Sequence, residues 1–143
     1  MTWYDIIVTI RRLTELNEFT VDACSSVLQC NFKQNTTNRY RSNILQEPFE
    51  YAELISGDDK AALSLKFRIE STREEYAMRL SGLGKPVDID IISPPIADET
   101  ASDAITDWDR RYSLCYEFGD CRVWFGIEES GSQKQLVSVT IER

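Results

Sequence analysis

Histidine is absent from the 143-residue chain, which removes the commonest general base and the usual nucleophile–histidine pairs. No GxSxG, HExxH, phosphate-loop or GxGxxG pattern takes its place. Carboxylates are then the groups left for acid–base work. Asp88, Asp90, Asp107 and Asp109 are the candidates for a glycosidase-like pair, in which one carboxyl donates a proton while another acts as base or nucleophile. Exposed acidic residues on strands and loops are otherwise solvated faces, and the expectation is that this chain is not an enzyme. Asp98, Glu99 and Asp103 lack the glycine and the spacing of a calcium loop. The cysteines, Cys24, Cys30, Cys115 and Cys121, form no CxxC pair, so a zinc site needs four scattered thiolates. No metal and no cofactor is expected, and free thiols in a reducing cytosol fit better than disulfides.

The distribution of charge is more informative than any motif. The chain has 24 acidic and 16 basic residues, a net charge of -8. Seven of the acidic residues (Asp88, Asp90, Asp98, Glu99, Asp103, Asp107 and Asp109) lie between Val87 and Asp109, where there is no lysine or arginine. Like charges so close repel one another and gain nothing for folding, so the segment either solvates a loop or meets a positive partner. Trp108 in its midst favours the partner, because tryptophan is enriched where interfaces are most tightly buried. Trp124 is a second expected contact. The expected partner surface is therefore the seven carboxylates with Trp108 and Trp124. The same net charge opposes binding to nucleic acid or to an anionic membrane. No run approaches the ~20 apolar residues of a membrane span, and the cytoplasm is the expected compartment.

These residues need a scaffold, and the alternation of apolar and polar positions predicts it. Tyr112, Leu114, Tyr116 and Phe118 alternate with Ser113, Cys115 and Glu117, and Cys121, Val123, Phe125 and Ile127 resume the alternation after Gly119-Asp120. A two-residue turn there sets Phe118 against Cys121, Tyr116 against Val123 and Leu114 against Phe125. It places Cys121 on the buried face and Cys115 on the other, so the two do not bridge. A turn at 130–132 returns the chain, with Phe125 expected opposite Val137 and Val123 opposite Val139, which completes a three-stranded meander. Trp124 falls on the face opposite Phe125, where a second helical layer is the alternative to a partner.

Upstream, Trp3, Ile6, Ile7, Ile10 and Leu13 recur at helical spacing over residues 3–16. Thr20 caps a shorter helix ending near Cys30. Residues 33–38 have no apolar member and read as a loop. Strands are expected at 39–44, 49–55 and 63–69. Capping boxes at Ser71 and Thr72 with Gly82 at the far end bound a third helix over 72–81. Val87, Ile89 and Ile91 then alternate with Asp88 and Asp90, and a loop runs from Ser93 to about Asp107 after Pro94-Pro95. Helix-then-strands recurs in 20–69 and 72–141, a weak internal duplication. The expectation is one α+β domain: an antiparallel sheet of six to seven strands with about three helices packed on it.

A small, acidic, histidine-free α+β domain with a carboxylate-rich, tryptophan-bearing segment resembles the immunity proteins of bacterial polymorphic and contact-dependent growth inhibition toxin systems. The resemblance is one of size, charge and architecture. It implies an inhibitor that binds one cognate toxin domain, often a basic nuclease, and acts as a monomer or weak dimer. A non-catalytic adaptor or secretion chaperone for another basic protein, and a small carboxylate-dependent enzyme, stay open beside it.

Overall fold

The structure, a computed structural model, describes residues 1–57, 60–92 and 110–143. In chain order its elements are α1 (Trp3–Thr14), α2 (Val21–Leu28), β1 (Lys33–Thr36), β2 (Arg39–Ser42), β3 (Phe49–Ser56), β4 (Ala61–Phe67), α3 (Arg73–Leu80), a single 3-10 turn (Ser81–Leu83), β5 (Asp88–Ile92), β6 (Arg110–Phe118), β7 (Cys121–Ser130) and β8 (Gln133–Glu142). The strands form one antiparallel sheet in the order β1-β2-β3-β4-β8-β7-β6-β5. The first half of the chain is two helices followed by a four-stranded meander and the second is one helix followed by another, and the halves join where β4 pairs antiparallel with β8. The recurrence of helix then strands read from the sequence corresponds to this order of elements.

All three helices bury their apolar sides against one face of the sheet. Ile6, Ile10 and Leu13 of α1, Cys24 and Leu28 of α2, and Tyr76 and Leu80 of α3 share a single core cluster with Leu54, Leu63, Leu65, Phe67, Val123, Phe125, Val139 and Ile141. Aromatic rings link the two halves: Phe67 lies 5.5 Å from Tyr76, Tyr76 lies 6.3 Å from Trp3, and Trp3 lies 6.2 Å from Phe125. Offset and tilted pairs at such separations add to what their buried area contributes.

Several local expectations are corrected. Residues 33–36 form β1 rather than a loop, which raises the strand number among the described residues to eight; they pair with β2 through the backbone while all four side chains face solvent, so no apolar signal marks them. In the C-terminal meander Phe125 pairs with Val139 and Val123 with Ile141, not with Val137 and Val139. Ser130 already pairs with Gln133 across a two-residue turn, and a bulge between Gly126 and Ile127 takes up Val137, so the ladder is displaced by two residues and the buried face is kept. Gly126 has a packing reason at this bulge: a Cβ there would overlap the Ser138 hydroxyl. The strand expected at 39–44 is shorter, ending at Ser42, and the one expected at 63–69 begins and ends two residues earlier, at Ala61 and Phe67, so that Ile44 and Ile69 are exposed.

Helix ends also differ. Thr72 makes no side-chain cap to α3, and the glycine with positive φ is Gly84, not Gly82, because a 3-10 turn extends the helix by three residues. The full capping box lies instead at Thr2 and Asp5 of α1. Thr20 caps α2 as expected, accepting from the Ala23 N–H. All four cysteines are free and buried. No described helix is long and apolar enough to cross a membrane.

Candidate protein-binding face

Side chains alternate across each strand, so the register fixes which residues share the face without helices. With the core face carrying Leu114, Phe125, Val139 and Leu65, the opposite face carries Asp88, Cys115, Trp124, Thr140, Ser64 and Glu53 in one row across five pairings. Asp90, Ser113, Gly126, Ser138, Lys66 and Tyr51 form the next row. No described helix covers these rows, so the helical layer considered for Trp124 is absent among the described residues.

Three of the nine residues predicted for partner contact stand on this face, and the structure brings two of them to one cation. The Arg122 guanidinium bonds the Asp88 carboxylate at 3.2 Å and lies 5.3 Å from the centre of the Trp124 ring. Burial pushes the neighbouring Cys115 thiol up, partly offset by Arg122 beside it. The indole N–H of Trp124 is buried without a hydrogen-bond partner among the described residues. Tryptophan N–H groups in such surroundings usually find an acceptor. Asp90 lies one row along, opposite Ser113, with no ion pair to a described residue. The other six predicted contacts, Asp98, Glu99, Asp103, Asp107, Trp108 and Asp109, lie outside the described residues.

Charge is divided along the face. Toward β5 it carries Asp88, Asp90, Glu117, Glu128 and Glu142 against Arg111 and Arg122; toward β1 it carries Lys33, Arg39, Arg41 and Lys66 against Glu53. Cross-strand partners neutralise part of this. Arg39 bonds Glu53 at 3.3 Å and Arg111 bonds Glu128 at 3.7 Å, while Arg41 stacks 3.9 Å over the Tyr51 ring. Exposed pairs of this kind contribute little stability each. Their larger effect is on the potential a partner meets, which is negative at the β5 end and positive at the β1 end.

The basic end had no counterpart in the sequence reading, because Lys33, Arg39, Arg41 and Lys66 are scattered over 34 positions and only the register aligns them. Concave surface lies elsewhere. A groove of about 520 Å³ at the end of the sheet is lined by Arg11, Glu15, Leu83, Lys85, Tyr116 and Glu117, and neither Asp88 nor Asp90 reaches it. Among the described residues no three cysteine, aspartate or glutamate side chains gather as a metal site. Comparison of the chain with protein-family models, with curated proteins and with solved structures returned no match.

Proposed function

We propose that this chain is an immunity-type inhibitor that binds a cognate basic toxin domain, a nuclease, through the acidic end of the sheet face on which no described helix packs and the acidic segment 87–109. The observation that carries the reading is that Asp88, Asp90 and Trp124 share a face on which no described helix packs, within and beside the stretch that holds seven of the chain's 24 acidic residues. A nuclease holds a polyanion, so its site is positive; carboxylates there stand in for phosphates and speed encounter by long-range attraction. Trp124, with its ring partly buried and its N–H without a described acceptor, supplies an aromatic anchor of the kind that carries much of an interface's energy.

The test is kinetic. Against the cognate basic toxin domain expected to be encoded beside the chain, the variant with Asp98, Glu99, Asp103 and Asp107 changed to Asn or Gln should associate more slowly and with a flatter salt dependence. Trp124→Ala and Trp108→Ala should act on dissociation, at about 2 kcal/mol for a buried anchor. Protection of toxin-expressing cells is the second readout. If the neutral variant associates at the wild-type rate with the wild-type salt slope and still protects, the acidic segment is a solvated loop and the reading fails.

A further inference from the structure

Four of the nine exposed large apolar side chains among the described residues lie together at one strand, the others being dispersed. Val87, Ile89, Ile91 and Ile92 are 55%, 54%, 67% and 43% exposed, and all four belong to β5 or precede it directly. Among the described residues β5 is an edge of the sheet, and it is the apolar edge: β1, at the other end, carries Lys33, Gln34, Asn35 and Thr36. An edge strand presents unpaired backbone groups, and chains ordinarily protect such an edge with charge, proline or a bulge. Here Ile89 and Ile91 stand on the side of the helices, against Leu114 and Tyr112, where the core cluster runs out. Asp88 and Asp90 stand on the open side. The Ile89 N–H donates to the Asp88 carboxylate at 2.9 Å, a local bond that an incoming carbonyl replaces.

We propose that the β5 edge accepts an extended strand of a protein partner in which apolar residues alternate with lysine or arginine. Added to β5, such a strand continues the sheet. Its apolar side chains cover Ile89 and Ile91 on one face, and its cations meet Asp88 and Asp90 on the other, with backbone hydrogen bonds supplying the affinity and the alternation the specificity. A second copy of this chain is disfavoured as the occupant. Pairing β5 with itself about a two-fold axis over its whole length sets Asp90 directly against Asp90, and like charges so placed repel. Asp90 therefore opposes self-pairing, and the two aspartates together select a basic strand. The inference rests on the proposed reading for the partner's basic character and adds the mode of contact.

The test uses the full chain, labelled for amide NMR, and a synthetic probe peptide alternating valine with lysine. The expected result is a shift of the amides of Val87 to Ile92 and of their β6 partners, weakening with salt and absent with the valine–glutamate peptide. Asp88→Asn with Asp90→Asn should weaken binding about tenfold, as loss of two exposed charge contacts implies. Ile89→Ser and Ile91→Ser, both at exposed positions, should weaken it with an unchanged salt slope. The proposal is overturned if the valine–lysine peptide leaves these amides unmoved, if the glutamate peptide acts equally, or if the shifts centre on β1 or Trp124. Concentration-dependent protection of the β5 amides in the protein alone overturns it too, since the edge then belongs to a dimer. A toxin bound with the β5 amides unchanged sinks this inference and leaves the inhibitor reading standing. Peptide binding without any toxin captured does the reverse.

Discussion

Phe125 and Trp124 are neighbours in the chain that meet opposite sides of the sheet. Phe125 is fully buried, 5.7 Å from the Tyr116 ring and 6.2 Å from Trp3. Phe125→Ala should cost about 3–5 kcal/mol, measured by urea unfolding, and Trp124→Ala should cost less because its ring is partly exposed on the open face. A larger cost at Trp124 means the ladder is displaced by one residue, which exchanges the faces. Cys24 carries a pH prediction. Burial pushes its thiol up from 9.0 to about 11, with Cys30 nearby adding to the shift and Arg143 opposing it. A raised pKa means the folded state holds the proton more tightly, so this contribution is fully present below about 9 and is lost as pH rises through about 11. The urea midpoint should therefore fall across that window, and Cys24→Ala should flatten the fall. An unchanged slope in the variant assigns the alkaline loss to other groups.

Among the elements, the helices show how far a local signal reaches. Thr2 and Asp5 cap α1 reciprocally: the Asp5 N–H donates to the Thr2 hydroxyl at 3.2 Å and the Thr2 N–H donates to the Asp5 carboxylate at 2.9 Å. Thr72 has the same sequence credentials ahead of α3 and no such bond. Thr2→Ala should cost about 1 kcal/mol, the usual worth of a cap, while Thr72→Ala should lie close to zero in the same unfolding assay. Equal costs contradict the cap geometry. Tertiary packing holds α3 instead, through Tyr76, whose ring meets Phe67 and Trp3 and whose hydroxyl donates to the Met1 carbonyl at 2.9 Å. The face bearing Trp124 belongs to this scale as well, for no described helix packs on it because α1, α2 and α3 all pack on the other side.

For the whole molecule, the decisive joint is β4 with β8, the one pairing that makes two four-stranded meanders a single sheet. Leu65 on β4 is fully buried and pairs with Val139 on β8. Leu65→Ala should cost about 2–5 kcal/mol. Because one core cluster spans both halves, hydrogen exchange in β3 and in β7 should quicken together. Exchange that quickens in β3 alone means that the halves unfold separately.

The alternation of Tyr112 to Ile127 around Gly119-Asp120 fixed the β6–β7 register, and the spacing of Ile6, Ile7, Ile10 and Leu13 fixed α1, since a buried face imposes its period on the residues that line it. The α+β class and the antiparallel meander followed from the same signals. Lys33 to Thr36 carry no such period because their side chains face solvent rather than the core, and β1 forms because β2 offers backbone partners. The bulge that absorbs Val137 follows from Ser130 closing a tight turn with Gln133 while Phe125 stays opposite Val139, and Val139 is also the residue that Leu65 of β4 pairs with. The predicted contact residues divide in the same way. Clustering along the chain exposed the acidic excess at 87–109, whereas the joining of Asp88 to Arg122, 34 positions away, and of Arg122 to the Trp124 ring came from the pairing of β5, β6 and β7. Charge close in sequence can be read from the sequence; charge made close by strand pairing exists only in the folded sheet.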